Sequence, residues 1–588
     1  VPQAERSDGR TKSHLWCDRA PARGIEAKPP KRRNGKRSEA MKAQGDVADS
    51  PTRCAEGAKR LAQIPTKKLS IIQINFIFMK SALNLRKFFV LIILTFLIME
   101  TKAQTNKDNP ESGKIKVADT LSITKHSLKI GGKTLEYTAT AGYLTLKSET
   151  GEAEAHFFYT AYTRDGVKDV ATRPLTFSFN GGPGSSSVWL HLGVLGPRRI
   201  LMTDEGESLP PPYQIVDNRY TWLEETDLVF IDPITTGFSR VAEEKEAKKY
   251  HGYSGDIKSI GHFIRRYTSD NMRWGSPKYL IGESYGTTRA AALSKHLIDQ
   301  YGFYLNGVIL VSSILDFQTA SFQPHNDLPY ILFLPTYAAT AHYHKQLKAA
   351  EQARALPEFL KEVADFAGGE YTAALFKGSR LSDAEKAEIA KKLSRYTGLD
   401  EAYILRANLR LDIFRFTKEL LRDEYKVVGR FDSRYTFVDV DGNSESGEFD
   451  PSYQPAILGT FGTAINDYLS RELDFKTDLT YNILTGRVYP WDYSPFTNRY
   501  VNTAESLRKA MVMNPHMKVW VANGYYDLAT PYFATEYTMQ HLDLPKDLEK
   551  NIQMTYYPAG HMMYLQKSSL EQMKREAVQF YDAKNRGK

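Results

Sequence analysis

The chain has 588 residues and only two cysteines, Cys17 and Cys54. From residue 55 onward there is none. That excludes a disulfide framework, a catalytic thiolate and a cysteine-ligated zinc site from the rest of the chain, which must rely on core packing. Long apolar runs are lacking too. The charge-free run Phe88–Met99 has 12 residues, short of the ~18–20 that a membrane-spanning helix needs. Nor does the formal net charge of +9 describe the whole chain. Residues 1–68 hold 17 Lys and Arg against 8 Asp and Glu, and residues 69–103 hold four against one, so the chain from Gln104 onward is at −3. A basic surface suited to nucleic acid is confined to the leader, and no nucleic-acid partner is expected. There is no internal repeat.

What is present near the start is a targeting pattern. Met79 is followed by Lys80, Arg86 and Lys87, then by the apolar run, then by Thr101-Lys102-Ala103, a small-x-small cleavage site before Gln104. Residues 79–103 are therefore expected to be a secretory signal peptide, with an uncleaved anchor as the competing reading. No cysteine follows the run, which argues against lipoprotein attachment. Residues 1–78 are polar and rich in Pro, Arg and Lys, without the apolar surface that would offset the entropy of folding. They are expected to be a disordered basic leader, either upstream of a true start at Met79 or a basic arm. The expected location is secreted or periplasmic, with no stable membrane insertion after signal cleavage.

Beyond the leader, 42% apolar and 25% charged residues are ordinary for a globular protein. Residues 104–125 are polar and expected to be flexible. Period-two patterns at Leu135–Thr140, Tyr143–Leu146 and Ala155–Tyr162 read as strands. Short apolar runs at Leu175–Phe179, Leu228–Ile231, Tyr279–Ile281, Val308–Val311, Val519–Ala522 and Gln553–Tyr556 alternate with helical patterns. That is the pattern of an α/β protein with a mostly parallel sheet and helices on both faces. Residues 126–315 and 493–588 are expected to form the two parts of this core. Residues 316–492 break the alternation, are rich in helix formers, and include the capping box Ser382-x-x-Glu385 before a stretch ending near Gly398. They read as an inserted, mainly helical cap; a separate domain with its own core is the alternative.

Four stretches carry chemistry, in chain order: Asn180-Gly181-Gly182-Pro183-Gly184, Gly282-Glu283-Ser284-Tyr285-Gly286, Asp527 and His561. The second is a G-x-S-x-G between a β-branched apolar run and a helix-like run, the context of a serine held on a strained strand-to-helix turn. Asp527 and His561 each follow a strand, so both sit where loops leave the carboxyl ends of strands, on the same edge as Ser284. A serine hydroxyl needs a histidine to take its proton and a carboxylate to fix the imidazole tautomer. The order nucleophile, acid, histidine is that of α/β-hydrolases.

The same residues resemble the serine carboxypeptidase family. Asn180–Ser187 with Gly196-Pro197 looks like its N-G-G-P-G-x-S-S…G-P block, and Gly282–Gly286 is its G-E-S-Y-G. Asn218–Trp222, Asp232-Pro233 and Thr236–Ser239 are similar to its N-x-x-S-W…D-x-P…G-T-G-F-S run, and Gly560-His561-Met562 to its G-H-M. The resemblance implies Ser284 as nucleophile, His561 as base and then acid, and Asp527 as its orienter. It further implies an oxyanion hole from the backbone N–H groups of Gly182 and Tyr285. Asn180, the Gly181 N–H and a neutral Glu283 would bind the substrate's terminal carboxylate. The implied activity is a cofactor-free serine exopeptidase acting on peptides with a free C-terminus. An esterase or acyltransferase on the same triad, or a dead binding protein, is the alternative.

Three departures from the family pattern stand out. The second glutamate of the usual pair, fourteen residues after the motif asparagine, is Val194. The cysteine often found after N-G-G-P-G is Ser185. Arg198 and Arg199 follow Gly196-Pro197, where they offer a carboxylate fork or form a solvated basic pair. Among other candidates, Asp439-Val440-Asp441-Gly442-Asn443 reads as an Asp-Gly hairpin turn rather than a calcium loop. His342-x-His344 has the wrong spacing for a metal on one helix face, and no metal site is expected. Aromatics at Val488–Tyr493 are expected to pack rather than line a cleft.

Overall fold

The computed structural model describes residues 121–582. The expected leader, signal peptide and most of the expected flexible segment lie outside the described residues. In chain order the strands are β1 (Leu121–Ile130), β2 (Lys133–Lys147), β3 (Ala153–Arg164), β4 (Leu175–Phe179), β5 (Arg198–Ile200), β6 (Ile215–Asp217), β7 (Asp227–Ile231), β8 (Arg240–Val241), β9 (Lys278–Ser284), β10 (Gly307–Ser313), β11 (Lys426–Val428), β12 (Thr436–Val438), β13 (Lys518–Gly524) and β14 (Ile552–Tyr557). One ten-stranded sheet runs β1-β2-β3-β7-β4-β9-β10-β13-β14, with β8 beside β3. From β7 to β14 the neighbours are parallel.

Strand β1 begins at Leu121, inside the segment expected to be flexible to residue 125. It pairs with β2 over its whole length through the Gly131-Gly132 turn, whose φ values of 55° and 81° suit a tight hairpin. Most of its side chains alternate exposed and half-buried, with only Leu128 buried and Ile130 packed against the first core layer, so it is held by backbone pairing with β2 and by an apolar contact at its C-terminal end.

The parallel strands are buried on both sides, which is why they read as continuous apolar runs. Leu228 and Phe230, Tyr279 and Ile281, Ile309 and Val311, and Trp520 and Ala522 enter one core layer. The residues between them, Val229, Leu280, Val308, Leu310, Val519 and Val521, enter the other. The first layer is closed by the C-terminal helix Lys567–Tyr581, through Leu570, Met573 and Ala577. The second is closed by the helices Tyr253–Asp270 and Tyr285–Tyr301. This is the α/β-hydrolase arrangement.

The long insertion lies between β10 and β13. Its first part folds around its own apolar cluster, with Tyr337, Phe359, Leu393 and Phe416, into which Tyr526, Leu528 and Tyr532 also reach from beyond β13. The Ser382 capping box is formed: Glu385 N donates to Ser382 Oγ at 3.3 Å and Ser382 N to Glu385 Oε2 at 2.8 Å. Gly398 ends that helix at φ 73°. The later part, with Ile457, Phe461, Tyr468 and Phe475, packs into the first core layer instead.

The Asp439–Asn443 turn is not a hairpin. β11 pairs with β12, so the hairpin loop is residues 429–435 and Asp439 follows the second strand. The acid is drawn inward by Lys418, whose buried ammonium pairs with Asp439 and donates to Asp441 O at 2.5 Å. The turn itself is formed, with Asn443 N donating to Asp441 Oδ1 at 3.0 Å and Ser444 N to Asp441 O at 3.2 Å, but it joins no pair of strands.

Candidate active site

Strand β9 is buried along Lys278–Glu283 and ends on Ser284, whose backbone sits at φ 59°, ψ −128°. A non-glycine residue there is strained by ~1–3 kcal/mol. The flanking glycines make the turn possible. A Cβ on Gly282 would stand 2.1 Å from Gly286 O, and one on Gly286 2.8 Å from Phe179 O. The helix Tyr285–Tyr301 starts immediately after, so its unpaired N–H groups and dipole lie at the serine. The turn after β4 closes against this elbow: a Cβ on Gly181 would lie 2.5 Å from Tyr285 N.

Beneath both turns sits Arg289, fully buried. It donates to Asn180 O at 2.6 Å and to Asp256 Oδ2 at 2.8 Å, and its guanidinium lies over the rings of Phe179 and Tyr285 at 5.4 Å each. One side chain thus joins the β4 turn to the elbow helix.

Asp527 follows β13 and His561 follows β14. His561 Nδ1 is 2.8 Å from Asp527 Oδ2. The carboxylate is fully engaged: Oδ1 accepts from Ala529 N and Thr530 N at 2.8 and 2.9 Å, and Oδ2 also accepts from Thr530 Oγ1 at 2.8 Å. A proton on Nδ1 satisfies the pair and leaves Nε2 as an acceptor. Burial alone would depress the imidazole, but the charge and hydrogen bond of Asp527 outweigh it, and the pKa is raised.

The insertion reaches this pair through its hairpin loop. His561 N donates to Phe431 O at 2.6 Å, Leu528 N to Arg430 O at 3.0 Å, Ser433 N to Tyr526 O at 2.9 Å, and Gly560 N to Asp432 Oδ2 at 3.0 Å. The Asp527 loop and the His561 loop are therefore stitched to one strip of the insertion.

Gly181, Gly182, Glu283, Ser284, Tyr285 and His561 line one cavity of about 330 Å³. Asp527 stands behind His561. Glu283 is buried, and burial pushes its carboxyl up to about 7. Tyr564 donates to its Oε2 at 2.5 Å. Asn180 is buried behind the cavity wall, with Oδ1 accepting from Leu190 N at 3.2 Å. Its Nδ2 makes no hydrogen bond of standard geometry but lies close enough to Glu283 to favour the charged form.

Other motif blocks act as scaffold. Asn218 Nδ2 donates to the carbonyls of Val194 and Gly196, and Asp232 Oδ1 accepts from Ser187 N at 2.8 Å. Val194 is buried in the first core layer. Neither Arg198 nor Arg199 lines the cavity. Arg198 pairs with Glu472 and Asp217, and Arg199 donates to Ile200 O. Of the aromatics expected to pack, Tyr489 instead lines the cavity, while Trp491 packs against Tyr285, its Nε1 donating to the Tyr285 hydroxyl at 3.1 Å. Arg289, Arg430, Phe431 and Tyr564 were not marked by sequence: each acts through a contact distant in the chain. Among the described residues no cluster of three or more His, Cys, Asp or Glu offers a metal site, and no helix is long and apolar enough to cross a membrane.

Residues 131–583 match the family described as serine carboxypeptidase. Carboxypeptidase Y of Saccharomyces cerevisiae is 26% identical over 200 residues, 32% of this chain and 33% of that protein. Serine carboxypeptidase-like 29 of Arabidopsis thaliana is 25% identical over 196 residues, 30% of this chain and 36% of that protein. The matched segment thus spans about a third of these relatives. A solved prohormone-processing carboxypeptidase from Saccharomyces cerevisiae aligns with a TM-score of 0.47 at 16% identity, covering 75% of this chain and 91% of that one. By the family match, which spans most of its length, this chain belongs to the serine carboxypeptidase family.

Proposed function

We propose that the chain is a serine exopeptidase that releases residues from the C-terminus of peptides through an acyl-enzyme, without a cofactor. The observation that carries this reading is the 2.8 Å Asp527–His561 contact beside a cavity shared by Ser284 on its elbow and the buried carboxyl of Glu283.

Ser284 Oγ attacks the carbonyl carbon of the last peptide bond while His561 Nε2 takes its proton. The N–H groups of Gly182 and Tyr285 receive the oxyanion. As the C–N bond breaks, His561 returns the proton to the leaving amine. A water deprotonated by His561 then cleaves the acyl-serine, frees the shortened peptide and restores Ser284. Glu283 shares its proton with the terminal carboxylate, assisted by Asn180 and the Gly181 N–H; a charged glutamate there would repel that group.

The test compares a free-acid peptide with its C-terminal amide, alongside labelling by a fluorophosphonate. Turnover of the acid with little turnover of the amide is expected. Hydrolysis of esters but of neither peptide would mean an esterase or acyltransferase, and no labelling would mean a dead binding protein.

Export to the periplasm or the outside belongs to the same reading, and the basic residues and apolar run at 79–103 support it. Intact mass of the product expressed from Met79 should show a chain beginning near Gln104. A product retaining Phe88–Met99 would mean an anchor.

A further inference from the structure

The cavity beside Ser284 is lined by one permanent cation, Arg430, and one carboxyl group, Glu283. Arg430 comes from the hairpin loop of the insertion, and its backbone is held at both ends. Its N donates to Asp450 Oδ1 at 3.1 Å and its O accepts from Leu528 N at 3.0 Å. The side chain lies over the Phe431 ring, 4.6 Å from guanidinium carbon to centroid. The Phe431 ring in turn lies 5.0 Å from the His561 ring. The guanidinium is thereby placed on the histidine side of the cavity. In the exopeptidase reading, that is the side from which the leaving amine receives its proton.

The guanidinium is not tied up. Among the described residues the one carboxylate within 4 Å is Asp450, 3.9 Å from Nε and beyond hydrogen-bond reach, and the side chain is 41% exposed. Arg410 shows the contrast: it holds Asp327 with Nε and Nη2 at 2.7 and 2.9 Å. A planar fork in a partly apolar cavity beside Phe431 and without a bidentate partner is suited to an incoming carboxylate. Among the described residues no other Lys or Arg lines the pocket. In the exopeptidase reading the groups already there for a carboxylate, Glu283 as a neutral acid, Asn180 and the Gly181 N–H, carry no positive charge, and Val194 adds no second carboxyl.

We propose that Arg430 receives a carboxylate of the leaving residue. That carboxylate is either the α-carboxylate of any C-terminal residue or the side chain of a C-terminal Asp or Glu. The inference takes from the exopeptidase reading only that the leaving residue occupies the histidine side of the cavity.

Binding is read apart from turnover by placing Arg430→Gln and Arg430→Lys in a Ser284→Ala background. Calorimetry is run with N-acyl dipeptides ending in Leu acid, Leu amide, Glu acid and Gln acid. Arg430→Gln should weaken binding of the carboxylate that Arg430 holds by about 10–100-fold, the worth of one charge-assisted pair, with the Leu amide changing less than twofold. Arg430→Lys should lose part of that, because it keeps the charge without the fork. Equal loss for Leu, Glu and Gln acids assigns the α-carboxylate; loss confined to Glu acid assigns the side chain. No loss for any acid, or equal loss for acid and amide, overturns the proposal. Unchanged melting temperatures confirm that the variants fold. Turnover of the same peptides by the wild-type chain judges the exopeptidase reading separately. Arg430-dependent binding of acids without turnover would sink that reading and leave the assignment of Arg430 standing.

Discussion

The hydroxyl of Tyr564 donates to Glu283 Oε2 at 2.5 Å, joining the residue three after His561 to the residue before Ser284. Both groups are buried, and the Tyr564 ring fills the space beside Gly193, where a Cβ would stand 2.4 Å from its Cε2. Val194 is the next residue. A phenol therefore engages the one carboxyl group that lines the cavity among the described residues.

That bond favours the charged form of Glu283. Removing it by Tyr564→Phe should raise the carboxyl further by about one pH unit, the worth of one hydrogen bond of ~1–1.5 kcal/mol. If proton sharing by Glu283 recognises the terminal carboxylate, the alkaline fall of kcat/KM for free-acid peptides moves to higher pH by that amount. A pH profile of the variant identical to wild type would refute the coupling.

Burial also makes Glu283 a lever on stability. Its carboxyl is raised to about 7, above the 4.5 of an exposed glutamate. Between those values the folded protein keeps a proton that the unfolded chain gives up. This contribution is fully present below pH ~4.5 and is lost as pH rises through about 7, by on the order of 3 kcal/mol. Urea midpoints at pH 5 and pH 7.5 should differ less in Glu283→Gln than in wild type.

Ser284 carries strain that glycine would not. Ser284→Gly should be more stable than Ser284→Ala by about 1–2 kcal/mol, because glycine takes positive φ without a steric cost and alanine does not. Both variants should lose turnover and fluorophosphonate labelling. Equal denaturation midpoints for the two would show that the elbow is relaxed.

Arg289 balances Asp256 in the interior. Arg289→Met leaves that carboxylate without its partner and frees the Asn180 carbonyl, so unfolding should become easier by ~3–5 kcal/mol. Chemical denaturation reads this directly. Because the side chain joins the turn and the elbow, labelling of Ser284 by a fluorophosphonate should also slow in the fraction that remains folded.

Legibility in the sequence followed the range of the contacts. β4 was expected at Leu175–Phe179 and lies there, because a strand buried on both faces must be apolar throughout. β1 lacks a legible apolar alternation because most of its Lys, Ser and Thr residues are exposed or half-buried, and its order comes largely from pairing with β2. At the site, the elbow and the glycine turn are short-range devices, with backbone angles that demand particular residues in a row. Tyr564 meets Glu283 across 281 positions and Arg289 meets Asn180 across 109. No local pattern records such meetings; only the closed sheet brings them about.

The stitching of the hairpin loop to the Asp527 and His561 loops has a consequence for how the protein could be rebuilt or opened. With His561, Gly560 and Leu528 all bonded to residues 430–432, that hairpin loop cannot lift away without breaking bonds that seat the imidazole. In the exopeptidase reading, a chimera that exchanged the insertion for a relative's should keep its activity only if residues 429–435 stayed with the host.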